Sequence, residues 1–347
     1  MRDGVEAALA EANRNGGVRG RNLKLIALDD GYEPKRTVPN MRQLIHEDNV
    51  LAVIGNVGTP TAVSAIPIAI KAKTPFFGAY TGGGVLRKSP PDRYVINYRA
   101  SYAEETAAMV DALILEGGMR PDEIAFFTQR DAYGDAAFVG GIAALKEHGL
   151  ESEIHVAHGR YERNTLAVEN ALADIMEADV PARAIIMVGT YAPCAAFVRL
   201  AREFGYSGLF LTVSFTGSTP LVRTLAVEGD GIIITQVVPH IESGLPAARR
   251  YRAALHQWDS SKGLTFGAFE GYIACTILLR ALESVAEPIT REGVVDALEG
   301  LGRFDIGLGT TLELSPVEHQ ACHTVWPTVL QGGKIVPFSW EDLVVPK

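Results

Sequence analysis

Small hydroxyl residues and glycines follow two apolar segments in the first third of the chain, Leu51–Gly55 and Pro75–Gly78. A Gly, a hydroxyl residue and a Pro in succession are typical of the start of a helix. Backbone N–H groups at such a start are free to bind a carboxylate or another polar group. The candidate residues are Thr59, Pro60, Ala79, Tyr80 and Thr81. They predict the polar part of a ligand-binding site.

Aromatic and polar residues follow three later apolar segments, Ile124–Thr128, Ala184–Val188 and Leu209–Val213. In open α/β sheets, ligands bind beyond the carboxyl ends of the strands. Aromatic rings at these places suit stacking on an apolar or aromatic ligand body. The candidate residues are Asp131, Tyr133, Thr190, Tyr191, Ser214 and Phe215. The alternative interpretation is that both groups are ordinary helix caps and aromatic packing.

Motifs for catalysis, cofactors and metals are weak or missing in the sequence. It contains no GxSxG elbow, no GxxxxGK[ST] loop and no GxGxxG after a strand. His319, Cys322 and His323 are close together, but a fourth metal ligand is missing, so solvent-facing residues are favoured. The sequence therefore predicts no catalytic residue, no cofactor and no metal site.

Length and composition indicate a two-domain globular protein. The chain has 347 residues, 47% of them hydrophobic and 21% charged, which is too long for one ordinary core. The net charge of -9 argues against nucleic acid as a partner. No apolar run approaches the roughly 20 residues needed to span a bilayer. Cys194, Cys275 and Cys322 lie far apart and allow at most one disulfide.

Apolar segments alternate with amphipathic helices along most of the chain. Continuous apolar strands separated by helices are typical of parallel sheets covered on both faces, which predicts a doubly wound α/β fold. The element order looks like two copies of one unit, the first ending near residue 100 and the second near residue 235. The remaining predicted strands are Leu23–Leu28, a strand near Glu153–Val156, and Thr324–Leu330. The predicted helices are Pro34–Glu47, Pro60–Ala72, Tyr102–Glu116, Tyr133–His148, Leu166–Glu177, Tyr191–Phe204, Ala247–Gln257 and Phe266–Val285.

Several motifs in their order along the chain resemble the leucine/isoleucine/valine-binding type of periplasmic solute-binding protein. They include Arg2-Asp3-Gly4-Val5, Ala52-Val53-Ile54-Gly55, Gly58-Thr59-Pro60-Thr61, Asp131-Ala132-Tyr133-Gly134, Thr235-Gln236-Val237-Val238-Pro239 and Glu270-Gly271-Tyr272. The resemblance implies the type I periplasmic-binding-protein architecture. In that architecture two Rossmann-like lobes with parallel sheets are joined by three hinge crossovers and close on a ligand in the cleft between them. Lobe 1 would comprise residues 1–99 and 238–315, and lobe 2 residues 100–237 and 316–347.

The resemblance also implies roles for individual residues. Thr59 and Thr81, with neighbouring backbone N–H groups, would hold the carboxylate of the ligand. Tyr133 would close over the ligand from lobe 2. The remaining wall would consist of Thr190, Tyr191 and Gln236.

The function implied by the resemblance is extracytoplasmic solute binding for an ABC importer. The chain would bind a small carboxylate-bearing ligand and catalyse no reaction, in the periplasm, with ABC permease membrane subunits as partners. The alternative is a cytosolic ligand-sensing regulator on the same fold. A cleavable export signal in the full gene would support transport over sensing.

Two departures from the family pattern bear on the ligand and on the beginning of the chain. Relatives that bind α-amino acids generally have an acidic residue directly after the strand that ends here at Val213, and this acid pairs with the ligand ammonium. In this chain the residue after Val213 is Ser214. Because an unpaired buried ammonium is costly, an aromatic or aliphatic acid or an amide competes with an amino acid as the ligand. Glu270 is either a substitute acid or a structural hydrogen-bond partner at a helix start.

The family's first strand and the loop after it also have no counterpart here, so we expect the chain to lack part of its native N-terminus, including any export signal.

Overall fold

The computed structural model describes residues 1–345, and the chain divides into two compact units. Unit 1 comprises Met1–Ala100 and Ile241–Thr324, and unit 2 comprises Ser101–His240 and Val325–Lys347. The chain therefore passes between the units three times. The last passage follows Thr324 rather than residue 315, because the backbone N–H groups of Ala321 and Cys322 donate to carbonyl oxygens of unit 1 at 2.9 and 2.8 Å. Residues 346–347, at the end of the predicted second lobe, lie outside the described residues.

Helices account for most of the regular structure in both units. In chain order they are α1 (Arg2–Arg14), α2 (Pro34–Arg42), α3 (Thr59–Lys71), α4 (Tyr102–Leu115), α5 (Ala132–Glu147), α6 (Glu169–Met176), α7 (Tyr191–Glu203), α8 (Ser218–Leu225), α9 (Pro246–Trp258), α10 (Phe266–Ser284) and α11 (Arg291–Glu299). A π-helical turn, Gln43–Glu47, continues α2.

The strands are shorter than the helices. In chain order they are β1 (Val53–Ile54), β2 (Phe76–Phe77), β3 (Val95–Ile96), β4 (Ile124–Gln129), β5 (His158–Tyr161), β6 (Ala184–Val188), β7 (Leu209–Thr212), β8 (Ile233–Gln236), β9 (Gly302–Phe304), β10 (Leu312–Leu314), β11 (Trp326–Gln331) and β12 (Lys334–Pro337).

Unit 2 is built on a seven-stranded sheet in the order β12-β11-β8-β7-β6-β4-β5. The five strands from β4 to β8 run parallel, whereas β11 is antiparallel to both β8 and β12. Every residue of β4, β6 and β8 is buried, as expected for central strands covered on both faces. Phe127 of β4 stacks on Phe197 of α7 with ring centroids 4.0 Å apart, and this contact forms part of the core.

Unit 1 contains a parallel three-stranded sheet, β1-β2-β3, and an antiparallel pair, β9 and β10. Its core includes Met41, Ile66 and Phe76. Helix α10 is buried over most of its length, as its nearly uniform apolar sequence predicts. The backbone of α1 lies directly against α10 at Gly4, where a Cβ atom would stand 1.7 Å from the carbonyl oxygen of Ala268.

Two of the predicted strands are wrong. Leu23–Leu28 forms no β-strand. A cavity of about 290 Å³ lies between residues 23–26 and the segment around β1. An apolar run alone does not guarantee a hydrogen-bonded neighbour, and this segment forms no strand ladder. Glu153–His155 forms a 3-10 turn, and the strand follows as β5, whose edge position pairs His158–Tyr161 with β4.

The buried side chains of unit 2 include Cys194, and those of unit 1 include Cys275 and Cys322; none of these three forms a disulfide. Burial raises the pKa of Cys194 to about 12. Within residues 1–345, no helix is both long enough and apolar enough to cross a bilayer.

Candidate functional site

Two buried threonines of unit 1 form a hydroxyl cradle, defined here as Thr59, Thr81 and the backbone N–H of Gly83. The Oγ1 atoms of Thr59 and Thr81 are 2.6 Å apart, and the Gly83 N–H donates to Thr81 Oγ1 at 3.1 Å. A Cβ atom at position 83 would stand 2.6 Å from Thr59 Cγ2, so a larger residue there would displace the Thr59 side chain. Both threonine side chains are buried.

Parallel pairing beyond the ends of β1 and β2 explains why the cradle residues meet. Val57 and Tyr80 form a parallel bridge, in which Tyr80 N donates to Asn56 O at 2.7 Å and Gly58 N donates to Tyr80 O at 3.2 Å. Helix α3 begins at the next residue, Thr59, with Pro60 in its first turn. The structure therefore brings the five predicted residues of unit 1 together: Thr59, Pro60, Ala79, Tyr80 and Thr81.

A buried cation lies beside Tyr80, and the sequence analysis missed it. The guanidinium carbon of Arg99 stands 5.3 Å from the centroid of the Tyr80 ring, a cation–π geometry. Arg99 Nη1 is also 3.5 Å from Glu270 Oε1, and both side chains are almost fully buried. Arg87 fixes the same region, since its guanidinium donates to Gly83 O at 3.0 Å and to Arg99 O at 2.9 Å. Glu270 therefore has Arg99 as a buried ion-pair partner, and its alternative role as a ligand-binding acid stays a prediction.

Unit 2 contributes an aromatic cluster, defined here as Tyr102, Tyr133 and Phe215. Ring centroids are 5.0 Å apart for Tyr102 and Tyr133, 4.8 Å for Tyr133 and Phe215, and 6.4 Å for Tyr102 and Phe215. Tyr133 and Phe215 were predicted from their places after β4 and β7. Tyr102, the first residue of α4, was missed because it follows no predicted strand.

Asp131 and the residues around it form a hydrogen-bonded network at the strand ends of unit 2. Asp131 Oδ1 accepts from the Tyr133 N–H at 3.0 Å and so caps α5, while Gln129 Nε2 donates to Asp131 Oδ2 at 2.7 Å. Burial raises the pKa of Asp131, and these hydrogen bonds oppose the rise. The Tyr161 hydroxyl donates to Gln129 Oε1 at 3.1 Å and accepts from the Thr190 N–H at 3.1 Å. Asp131 therefore caps α5, and its part in ligand binding stays a prediction.

Gln236 and Tyr191 were also predicted to form the wall, and Gln236 is buried whereas Tyr191 is exposed. Gln236 Nε2 donates to Ser218 Oγ at 2.9 Å and to Thr328 Oγ1 at 3.2 Å within unit 2. Tyr191 is exposed at the start of α7. Their part in ligand binding stays a prediction.

Ser214, which occupies the position where an acid was expected, contacts a carboxylate from another element. Its backbone N–H donates to Glu105 Oε2 at 2.8 Å, and its hydroxyl donates to Glu105 Oε1 at 2.9 Å. Thr235 Oγ1 donates to the same Glu105 Oε2 at 2.6 Å. The sequence analysis missed Glu105 because it is 109 residues away from Ser214 along the chain.

The prediction of solvent-facing residues near the end of unit 1 is wrong for His319 and Cys322, which are buried, whereas His323 is exposed. His319 Nδ1 is 2.9 Å from Val95 O, and its Nε2 is 3.1 Å from Glu299 Oε1. His323 Nδ1 is 2.9 Å from Gln320 Nε2. Across residues 1–345, no three His, Cys, Asp or Glu side chains converge in a way that would hold a metal ion.

Comparison with known proteins gives matches along the whole chain. The periplasmic binding protein family model matches residues 1–334. The crystal structure of a possible leucine/isoleucine/valine-binding protein from Rhodopirellula baltica SH 1 is 51% identical, with a TM-score of 0.96 over 99% of this chain and 92% of that chain. The structure of a substrate-binding periplasmic protein from Ralstonia solanacearum is 28% identical, with a TM-score of 0.87 over 97% of this chain and 94% of that chain.

A curated relative, Leu/Ile/Val-binding protein homolog 7, is 26% identical in Brucella suis and in Brucella abortus. The match covers 81% of this chain and 72% of the Brucella suis biovar 1 (strain 1330) protein. It covers 58% of this chain and 51% of the Brucella abortus (strain 2308) protein, so the chain spans about half the length of that relative.

These matches confirm the resemblance to the leucine/isoleucine/valine-binding type and the predicted fold class. The structural neighbours are type I periplasmic binding proteins with two lobes and mostly parallel sheets. The family consists of solute-binding proteins. Since the family match extends over residues 1–334, this chain belongs to the periplasmic binding protein family.

Proposed function

We propose that this chain is the solute-binding component of an ABC importer and acts outside the cytoplasmic membrane. Its ligand is a small molecule whose carboxylate or other polar group binds the hydroxyl cradle of unit 1. The aromatic rings of unit 2 suit an apolar ligand body. The observation that carries the proposal is the cradle itself, in which two buried hydroxyls and a backbone N–H converge beyond the ends of parallel strands.

The number of hydroxyl protons in the cradle supports a ligand group that accepts hydrogen bonds. Each threonine hydroxyl carries one proton, and the bond between Thr59 and Thr81 uses one of the two. One hydroxyl proton therefore remains for a carboxylate or amide oxygen. Arg99, 5.3 Å from the Tyr80 ring centroid, adds a cation close to the same strand ends, although Glu270 partly offsets its charge.

The aromatic cluster and the names of relatives favour an apolar ligand body. Tyr and Phe faces provide large apolar contact areas. The Rhodopirellula baltica protein is described as a possible leucine/isoleucine/valine-binding protein. Branched aliphatic amino acids are therefore the first ligands to test, followed by aromatic acids, aliphatic acids and amides. An importer function also requires membrane permease subunits as partners, and fractionation of cells that carry the full gene tests the location.

A thermal-shift screen tests the proposed function directly. We expect a ligand that binds the folded chain to raise the unfolding midpoint, since a ligand at one hundred times its Kd stabilises the folded state by about 2.7 kcal/mol. The panel consists of the branched-chain and aromatic amino acids, their deamino acids, short fatty acids and the corresponding amides. Calorimetry then measures the Kd of each hit. A panel that gives no shift and no heat would overturn the proposed ligand class.

Replacing Thr59 with valine, which removes the hydroxyl at nearly constant volume, is expected to weaken binding of the best ligand. A hydrogen bond to a charged group contributes about 1.5–3 kcal/mol, so the Kd should rise about 10-fold to 150-fold. Thr74→Val is the matched control, because Thr74 is also fully buried in unit 1 but precedes β2 at its opposite end, where its hydroxyl donates to Ala72 O at 3.3 Å. Equal Kd values for Thr59→Val and the unmodified chain would remove the cradle from the site.

A further inference from the structure

We propose that Arg87 couples the hydroxyl cradle to two segments through which the chain leaves unit 1. These exit segments are defined here as residues 97–100 and 319–324, and each directly precedes a passage into unit 2. A ligand bound by the cradle then also stabilises the exit segments. The coupling rests on the proposed function and adds a positioning residue to it, since Arg87 acts through the backbone that carries the cradle.

The Arg87 guanidinium donates hydrogen bonds to the cradle loop and to both exit segments. Its Nη1 donates to Gly83 O at 3.0 Å and to Thr81 O at 3.5 Å, so it holds the loop that supplies two of the three cradle groups. Its Nη2 donates to Arg99 O at 2.9 Å in the first exit segment, and its Nε donates to Gln320 Oε1 in the second. A guanidinium can hold these acceptors together because its N–H groups point outward from one rigid plane.

The two exit segments are paired with each other within unit 1. The Asn97 N–H donates to His319 O at 2.6 Å, and the Ala321 N–H donates back to Asn97 O at 2.9 Å. The Cys322 N–H donates to Tyr98 O at 2.8 Å. Because these bonds join the segments into one short ladder, a bond from Arg87 to either segment acts on both.

A second contact and the burial of the acceptors make the connection stiff. Asn97 Nδ2 donates to Leu86 O at 2.8 Å, which fixes the residue before Arg87 to the first exit segment. Gly83 and Arg99 are buried, so water does not readily replace the guanidinium as the donor to their carbonyl oxygens. Movement of the exit segments away from Arg87 therefore disturbs the cradle loop, and a ligand in the cradle opposes this movement.

Hydrogen exchange of the exit segments with and without leucine measures the coupling. A local opening that also breaks the ligand site is slowed about 100-fold when the ligand is at one hundred times its Kd, whereas an opening that keeps the ligand bound is not slowed. We expect leucine, or the tightest compound of the panel if leucine gives no heat, to slow exchange in residues 97–100 and 319–323 about tenfold or more. Arg87→Met, studied at one hundred times its own Kd, should reduce this slowing to less than about threefold. The Gly83 N–H should stay protected in the variant, which shows that the cradle is occupied.

Two further variants separate the hydrogen bonds of Arg87 from its charge. Lys88→Met is the matched control, because the Lys88 side chain is 56% exposed and pairs with Asp92 at 2.8 Å. It should keep the full slowing. Arg87→Lys keeps the positive charge, but one ammonium group does not reach acceptors on all sides of the guanidinium plane. We therefore expect it to lose the slowing as Arg87→Met does.

The outcomes separate the coupling from the proposed function. If calorimetry shows binding but Arg87→Met slows exchange in the exit segments as much as the unmodified chain does, the coupling is overturned and the proposed function stands. Absence of any slowing in the exit segments of the ligand-bound unmodified chain has the same meaning. If no compound of the panel binds, the proposed function itself is overturned. Should Arg87→Met fail to fold, Arg87→Lys decides, since full slowing in that variant would contradict a role for the guanidinium.

Discussion

Replacing Gly4 with alanine is expected to lower the unfolding free energy of unit 1 by about 3 kcal/mol or more, the upper range for overpacking a core. The added Cβ would stand 1.7 Å from Ala268 O and 2.7 Å from Tyr272 N. Both of these atoms belong to the backbone of α10, so no side-chain rotation relieves the clash. Helix α1 would have to move away from α10 and expose its own buried residues, including Val5 and Leu9.

Urea denaturation followed by circular dichroism measures this effect. We expect the transition of unit 1 to occur at a lower urea concentration or to be absent, while the transition of unit 2 is retained. Gly263→Ala is the matched control, because nothing lies within 4 Å of its Cβ position and it is a residue of the same unit. Its stability should change by no more than about 0.5 kcal/mol. A Gly4→Ala protein as stable as the control would show that α1 and α10 are not in close backbone contact.

Residues at strand ends could be predicted because the carboxyl ends of parallel strands meet at one edge of a sheet. Thr59 and Thr81 were predicted on this basis, and their hydroxyl oxygens are 2.6 Å apart. Tyr133 and Phe215 follow β4 and β7, and their rings are in contact. The bounds of β6, Ala184–Val188, were also predicted correctly, because its continuous apolar run is fully buried.

Partners contributed by distant helices could not be predicted in this way. Glu105 follows no strand, and helical periodicity indicates only which face it occupies, not that Ser214 lies against it 109 residues later. Arg99 and Glu270 are likewise paired only by the packing of α10 in unit 1. The failure at Leu23–Leu28 has a related cause, since an apolar run indicates burial but does not identify a hydrogen-bonding neighbour. Residue patterns therefore predicted which strand-end residues lie together within each unit, whereas their charged partners became visible only with tertiary contacts.

Replacing Glu270 with alanine is expected to destabilise unit 1 by about 3–5 kcal/mol, the range found when one partner of a buried ion pair is removed. Arg99 would remain buried beside Tyr80 without the carboxylate that lies 3.5 Å from its Nη1. Glu228→Ala provides the contrast, because the Arg199–Glu228 pair has side chains 49% and 55% exposed. Such a surface pair contributes no more than about 1 kcal/mol.

A double-mutant cycle in urea distinguishes the loss of the ion pair from a simple packing defect. Adding Arg99→Met to Glu270→Ala removes the stranded charge and should recover part of the lost stability, although the cation–π contact with Tyr80 is lost as well. If the two substitutions were additive, Glu270 would act by filling space and not by its charge. The interpretation of Glu270 as a structural acid would then fail, and its alternative as a ligand-binding acid would have to be tested by calorimetry with leucine. Arg99 lies beside Tyr80, at the strand ends next to the hydroxyl cradle. The same cycle therefore also measures how much the Arg99–Glu270 pair stabilises this region.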